Sequence, residues 1–104
     1  MKVRICKAGA VPEGVMKSFD IEGTPVLVAR VDGEFHAITD MCTHAMAYLS
    51  DGELLEGCRV KCPDHAAVFD LRTGEALELP ATGPVAVHKV TVEGEDLFIE
   101  MSPG

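Results

Sequence analysis

The chain has 104 residues, the length of one small domain, and we expect a single domain over residues 1–104. Its 17 acidic and 9 basic residues give a formal net charge of −8 with no basic stripe, which argues against a nucleic-acid partner. No run approaches the roughly 18–20 apolar residues of a membrane-spanning helix, and no long apolar stretch of the signal-peptide kind precedes Gly9. We therefore expect a cytoplasmic protein without a membrane partner.

Short β-rich runs alternate with turn signals along the chain, and no segment has the pattern of a long helix. Strands are predicted, in chain order, over Lys2–Lys7, Val15–Ile21, Pro25–Val31, Glu34–Ile38, Leu54–Leu55, Cys58–Lys61, Val68–Leu71, Glu75–Leu77, Val85–Val92 and Leu97–Glu100. Asp32 and Gly33 form a two-residue link of the kind found in type I′ hairpin turns, and Glu56 and Gly57 are expected to close a second hairpin. Such a series of short strands predicts a small all-β protein, either a sandwich or a barrel.

Two short motifs, Cys42–His44 and Cys62–His65, each combine one cysteine with one histidine after a predicted strand. The first has the form Cys-x-His and the second Cys-x-x-His, with residues 45–61 between them. Two thiolates and two imidazoles on two loops suit a [2Fe–2S] cluster in which histidine replaces cysteine on one iron, as in Rieske centres. A structural zinc site stays open as an alternative, although such sites more often pair two cysteines before two histidines.

The residues around the motifs closely resemble those of the Rieske-type ferredoxins of bacterial multicomponent aromatic-ring dioxygenases. The similar segments are Cys42–His44, Leu49–Gly52, Leu55–Gly57, Cys62–His65 and Phe69–Glu75. The resemblance implies a Rieske-like antiparallel β-sandwich with two cluster-binding hairpin loops at one tip, and a cluster-binding region at about residues 40–70. One Rieske-type [2Fe–2S] cluster would be bound, with Cys42 and Cys62 on the inner iron and His44 and His65 on the outer iron.

The same resemblance implies a soluble electron carrier that is not an enzyme in its own right. It would accept one electron from an NAD(P)H-dependent flavoprotein reductase and pass it to a terminal oxygenase, as a monomer that docks transiently. The acidic charge would steer it toward basic partner surfaces. Two alternatives stay open: the small subunit of a larger reductase, such as an assimilatory nitrite reductase, and a structural zinc domain.

The chain departs from related sites in ways that bear on the reduction potential. Ala45 and Ala66 stand where the family often has glycine after each histidine. High-potential Rieske subunits of respiratory complexes resemble this site but add a disulfide, matched here by Ala47 and Asp64, and two hydroxyl donors, matched here by Ala67 and Phe69. Because such donors stabilise the reduced cluster, we expect a potential near the bottom of the Rieske range of about −150 to +300 mV.

The other cysteines and histidines are expected to be structural. Cys6 is predicted to be a small, buried, apolar residue, and Cys58 is predicted to pack on the same strand face as Cys62. A disulfide between Cys6 and Cys58 is not expected in a reducing cytosol. His36 and His88 are predicted to be ordinary surface or edge residues.

The apolar run Ala45–Leu49 lies directly after the first motif. It is expected to shield the cluster from water, and it also suits a small hydrophobic docking patch for a redox partner. Asp40, Asp51, Glu53 and Glu56 are the acidic residues expected to rim this patch.

Overall fold

The computed structural model describes residues 2–41, 47–63, 67–78 and 83–101. Its strands are β1 Lys2–Lys7, β2 Met16–Ile21, β3 Thr24–Val31, β4 Glu34–Thr39, β5 Glu53–Leu55, β6 Arg59–Lys61, β7 Val68–Asp70, β8 Ala76–Glu78, β9 Val87–Glu93 and β10 Asp96–Glu100. Two single-turn 3₁₀ helices cover Ala8–Ala10 and Leu49–Asp51. Every predicted strand is present, and each observed end lies within one or two residues of the predicted one.

The strands form two antiparallel sheets. One sheet has six strands in the order β1-β10-β9-β4-β3-β2, and the other has four in the order β5-β6-β7-β8. The sequence motifs lie at the ends of strands in both sheets: the first follows β4 and the second follows β6. The predicted all-β antiparallel fold is confirmed.

Strand β3 is covered on both of its faces. Four consecutive residues, Val26 to Ala29, have no exposed surface. Leu27 and Ala29 enter a core cluster shared with the four-stranded sheet, whereas Val26 and Val28 enter a second cluster that β10 closes. Successive side chains of a strand point to opposite faces, so this uninterrupted apolar run fills two cores. The first of these clusters, called here the inter-sheet core, is the one that reaches the second motif.

The hairpin of β3 and β4 turns at Asp32 and Gly33, as predicted. Both residues have positive φ, 52° and 79°, as a type I′ turn requires. The carboxylate of Glu13 accepts hydrogen bonds from the N–H groups of both turn residues, at 2.7 and 2.8 Å. The turn is therefore stabilised by a side chain that lies nineteen or more residues earlier in the chain.

The hairpin of β5 and β6 differs from the prediction by one residue. Leu55 pairs with Arg59, so the link includes Cys58 as well as the two predicted turn residues. Cys58 itself has a positive φ of 60°. This wider turn starts β6 at Arg59 and leaves Cys58 in the turn rather than in the strand.

A β-bulge in β1 explains the position of Cys6. The register against β10 shifts between Arg4 and Cys6, which turns both Ile5 and Cys6 toward the second core cluster. Cys6 is accordingly partly buried, in line with its predicted apolar role. Burial raises the pKa of its thiol above the ordinary 9.0, against the opposing charges of Lys17 and Arg4.

Candidate metal centre

The second motif begins at a buried cysteine. Cys62 follows β6 directly and is only 2% exposed. Cys58, Val60 and Cys62 all belong to the inter-sheet core, as expected for alternate positions along an extended segment. The strand thus carries the sulfur of Cys62 into the apolar interior at its end.

The hairpin of β6 and β7 closes just beyond this cysteine. The N–H of Cys62 donates a hydrogen bond to the carbonyl of Ala67 at 2.7 Å, which continues the pairing of Lys61 with Val68. Residues 63–66 connect these two bonded residues in the sequence, and Pro63, the first of them, is exposed. His65 lies outside the described residues.

The first motif follows β4, and Cys42 and His44 lie outside the described residues. The chain before them is held from three sides. The N–H of Thr39 donates to Ala86 at 2.9 Å, and the N–H of Asp40 donates to Pro25 at 2.8 Å. The carboxylate of Asp40 accepts hydrogen bonds from the N–H and the hydroxyl of Ser50, where the chain returns from the loop.

The two loops start from stems that touch each other. Gly52, which ends the 3₁₀ turn after the first loop, lies so close to Lys61 that a Cβ on it would stand 1.9 Å from the Lys61 carbonyl oxygen. A cavity of ≈ 260 Å³ lies at this junction, and its lining consists of Asp51, Gly52, Glu53, Lys61, Cys62 and Pro63. Asp51 and Gly52, which follow the first motif in the chain, therefore lie beside Cys62.

Among the described residues, no three histidine, cysteine or acidic side chains come together as a metal site. Of the four predicted ligands, only Cys62 is described. What surrounds it suits a thiolate ligand of a [2Fe–2S] cluster, since it is buried among apolar side chains and borders a cavity. Ala67 and Phe69 are fully buried in the same core and bring no hydroxyl group to it.

The described end of the apolar run has two different environments. Leu49 is fully buried in the inter-sheet core, and Ala47 packs against that core. Tyr48, between them, is 47% exposed. The described part of the run thus has both buried and exposed side chains, whereas Ala45 and Met46 lie outside the described residues.

Of the four acidic residues expected at the rim, Asp51, Glu53 and Glu56 are exposed. The prediction is wrong for Asp40, which has no exposed surface. Its carboxylate is turned inward because Ser50 supplies two donors to it. A single acidic residue at the end of a strand gave no sequence signal for this buried role.

The spare cysteine Cys58 packs in the inter-sheet core, as predicted. Burial raises the pKa of its thiol above the ordinary 9.0, while the charge of Arg72 opposes that change. Position distinguishes it from Cys62: Cys58 lies in the turn before β6 and is not among the residues that line the cavity beside Cys62. Cys6 and Cys58 both carry free thiols and pack in different core clusters.

The expectation of a surface or edge position is wrong for His88, which is only 5% exposed. It pairs with Ala37 where β9 joins β4, so it lies inside the six-stranded sheet. A hydrogen bond of 2.9 Å joins its Nε2 to the hydroxyl of Thr39, the last residue of β4 before the first motif. Burial lowers the pKa of His88 below the ordinary 6.5.

His88 is expected to make stability depend on pH. Because its pKa is lower in the folded chain, the unfolded chain binds a proton that the folded chain does not. The stability that His88 contributes is therefore complete above about pH 6.5 and falls as the pH drops below it, by at most about 1.4 kcal/mol per pH unit. His88→Gln should flatten this fall in urea unfolding measured from about pH 5 to 8.

His36→Gln is the matched control for this measurement, because His36 lies in β4 and is only partly buried. The predicted histidine ligands are the same in both variants, so their titration cancels in the comparison. A wild-type pH profile that His88→Gln leaves unchanged would contradict the expectation.

Comparison with known proteins identifies the class of this centre. The Rieske [2Fe-2S] domain family matches residues 1–95. The chain belongs to this family, whose domain binds one Rieske-type [2Fe–2S] cluster, and the predicted cofactor is confirmed. A structural zinc domain is accordingly set aside.

Individual relatives narrow the class to ferredoxins. The ferredoxin subunits of 3-phenylpropionate/cinnamic acid dioxygenase from Shigella boydii and Escherichia coli K12 are each 45% identical over 101 residues, which is 96% of this chain and 93% of theirs. The ferredoxin of carbazole 1,9a-dioxygenase from Nocardioides aromaticivorans IC177 has a TM-score of 0.93 at 34% identity, with 98% of this chain and 99% of that chain covered. The prediction of an electron-transfer component is confirmed.

Two further structures bear on the partners considered above. A complex of reduced oxygenase and oxidized ferredoxin in carbazole 1,9a-dioxygenase contains a chain that matches at a TM-score of 0.90 and 31% identity, over 99% of this chain and 97% of that chain. A provisionally assigned small subunit of an NADPH nitrite reductase matches at a TM-score of 0.83 and 24% identity, over 96% and 98%. At that identity the second likeness concerns the fold alone.

None of the helices among the described residues has the length and apolar character of a membrane-spanning segment.

Proposed function

We propose that this chain carries electrons, one at a time, from an NAD(P)H-dependent flavoprotein reductase to a terminal oxygenase that acts on aromatic compounds. The proposed ligands are Cys42 and Cys62 for the inner iron and His44 and His65 for the outer iron. The bound cluster supplies the one-electron redox chemistry. The observation that carries the proposal is the contact of Gly52 with Lys61, which joins the chain after the Cys42–His44 motif to the last residue of β6, next to Cys62.

The residues near the two motifs include a buried group around Cys62 and an exposed group that a partner can contact. Leu49, Ala67 and Phe69 are fully buried in the same core as Cys62, so they keep water from its sulfur. Tyr48, four residues after the first motif, and Pro63, within the second motif, are both exposed. A partner that contacts these two residues would stand next to both ligand loops.

The acidic charge supports encounter with a basic surface. The net charge is −8, and exposed Asp51, Glu53 and Glu56 lie between the two motifs. Long-range attraction of this kind raises association rates without requiring a large interface. Transient docking of a monomer through a small interface suits a redox carrier. The solved complex of oxygenase and ferredoxin in carbazole 1,9a-dioxygenase supports an oxygenase as the partner.

The reduction potential is proposed to be low. Ala67 and Phe69 occupy the positions where hydroxyl donors would stabilise the reduced state, and neither has a hydroxyl group. We place the midpoint below zero, in the lower part of the Rieske range of about −150 to +300 mV. We also propose that the protein works in the cytoplasm, where cysteines serve as metal ligands rather than in disulfides.

The test is spectroscopy of the purified protein together with metal analysis. We expect a coloured protein with about two irons per chain, a Rieske-type electron paramagnetic resonance signal after reduction, and a midpoint below zero in a redox titration. A colourless protein that contains zinc would contradict the proposed centre, and a midpoint above zero would contradict the low potential. Isolation in a fixed complex with a larger reductase, instead of as a monomer, would favour the reductase-subunit alternative.

A further inference from the structure

Asp40 is a buried carboxylate in a position where burial is costly. It has no exposed surface and lies two residues before Cys42. Both of its oxygens accept hydrogen bonds from Ser50: Oδ1 from the N–H at 2.7 Å and Oδ2 from the hydroxyl. An acidic side chain is rarely buried completely unless it is paired or hydrogen-bonded. These two bonds are therefore the contacts that keep the carboxylate inside.

The pair closes the first loop at its base. Asp40 and Ser50 lie ten positions apart, and the segment between them contains Cys42 and His44. The main chain before the loop is already held by the bonds from Thr39 to Ala86 and from Asp40 to Pro25. The side-chain bonds add a link from this strand end to Ser50, in the 3₁₀ turn that begins with Leu49.

The returning end is also the part that meets the second loop. Ser50 lies in the 3₁₀ turn between buried Leu49 and Gly52, and Gly52 touches the carbonyl of Lys61 next to Cys62. Holding Ser50 thus fixes the end of the first loop relative to β6, which Cys62 follows. Residues that contact metal ligands, rather than the metal itself, commonly orient those ligands and change the metal affinity or the redox properties of the site.

We propose that Asp40 and Ser50 form a positioning pair that fixes the first ligand loop, and that the buried charge of Asp40 lowers the reduction potential. The two acceptor bonds suit the ionised carboxylate. A negative charge opposes the addition of an electron, and it does so more strongly when it is buried than when water screens it. The inference rests on the proposed function, because it requires that the loop between the two residues holds the cluster.

Four variants of the cluster-loaded protein test the pair. Asp40→Asn keeps the shape of the side chain and removes its charge, while Ser50→Ala keeps the charge and removes the hydroxyl donor. Ser50→Thr retains a hydroxyl and is the rescue variant. Asp32→Asn is the matched control, because it makes the same change at an exposed turn position. Asparagine tolerates the positive φ of that position.

The measurements are the midpoint potential, the rate of iron loss to a chelator and the electron paramagnetic resonance signal. We expect Asp40→Asn to shift the midpoint upward, with little shift in Asp32→Asn. Ser50→Ala should lose iron about tenfold faster than wild type, equivalent to about 1.4 kcal/mol, and Ser50→Thr should restore most of the difference.

A wild-type protein without a Rieske signal would overturn the proposed function itself. If the wild-type signal is present, the inference fails when Asp40→Asn shifts the midpoint no more than Asp32→Asn and Ser50→Ala keeps iron as long as wild type. A purely structural role, with lower unfolding midpoints but an unchanged potential and signal, would also overturn it. Should Asp40→Asn fail to fold, the comparison of Ser50→Ala with Ser50→Thr still decides the positioning role.

Discussion

Cys62→Ser is expected to abolish cluster binding. Cys62 is the proposed ligand at the end of β6, where its sulfur is buried in the inter-sheet core. A serine hydroxyl does not supply the thiolate that an iron–sulfur cluster requires. The loss of metal affinity should exceed the 10- to 100-fold decrease that is typical when a residue hydrogen-bonded to a ligand is replaced. Iron analysis and the visible spectrum of the purified variant measure it.

Cys58→Ser is the control for this experiment, since it makes the same substitution four positions earlier. Cys58 is also buried in the inter-sheet core, but it lies in the turn before β6 and is not a proposed ligand. We expect this variant to retain its cluster and to lose only stability, by about 1–3 kcal/mol for a buried hydroxyl without a partner. The opposite result, iron retained by Cys62→Ser and lost by Cys58→Ser, would show that the ligand assignment is wrong.

Most of the scaffold was predictable from local patterns. The turn at Asp32 and Gly33 requires positive φ at two adjacent positions, and this residue pair is among the commonest solutions. The alternation of Cys58, Val60 and Cys62 indicated a single inward face, and all three are buried. The ligands could be proposed from the sequence because Cys-x-His and Cys-x-x-His place a thiol and an imidazole within three residues of each other, a spacing typical of metal ligands.

What the sequence did not show depends on contacts between distant segments. Asp40 is buried because Ser50 returns to it, and nothing near Asp40 in the sequence indicates that return. His88 is buried because β9 joins β4 at Ala37, a pairing between segments far apart in the chain. Cys58 has a positive φ because the link between β5 and β6 has three residues. The predicted two-residue turn would have left Cys58 in the strand, with an extended backbone.

Gly52→Ala is expected to separate the two loop stems. The added Cβ would lie 1.9 Å from the carbonyl oxygen of Lys61 and 3.0 Å from its carbonyl carbon, and neither atom belongs to a side chain that can move away. Glu53 pairs with Lys61 in the next position, so the backbone can shift only by disturbing the pairing of β5 with β6. We expect a loss of about 3 kcal/mol or more in the free energy of unfolding.

The separation should also reach the metal centre, because Lys61 immediately precedes Cys62. Lower iron content and a lower urea midpoint are therefore expected together in Gly52→Ala. Gly9→Ala is the matched control: a Cβ at Gly9 meets nothing within 4 Å, and this glycine does not have a positive φ. That variant should change the free energy of unfolding by no more than about 0.5 kcal/mol and keep its iron. A Gly52→Ala protein with full iron and wild-type stability would mean that the contact with Lys61 does not hold the stems together.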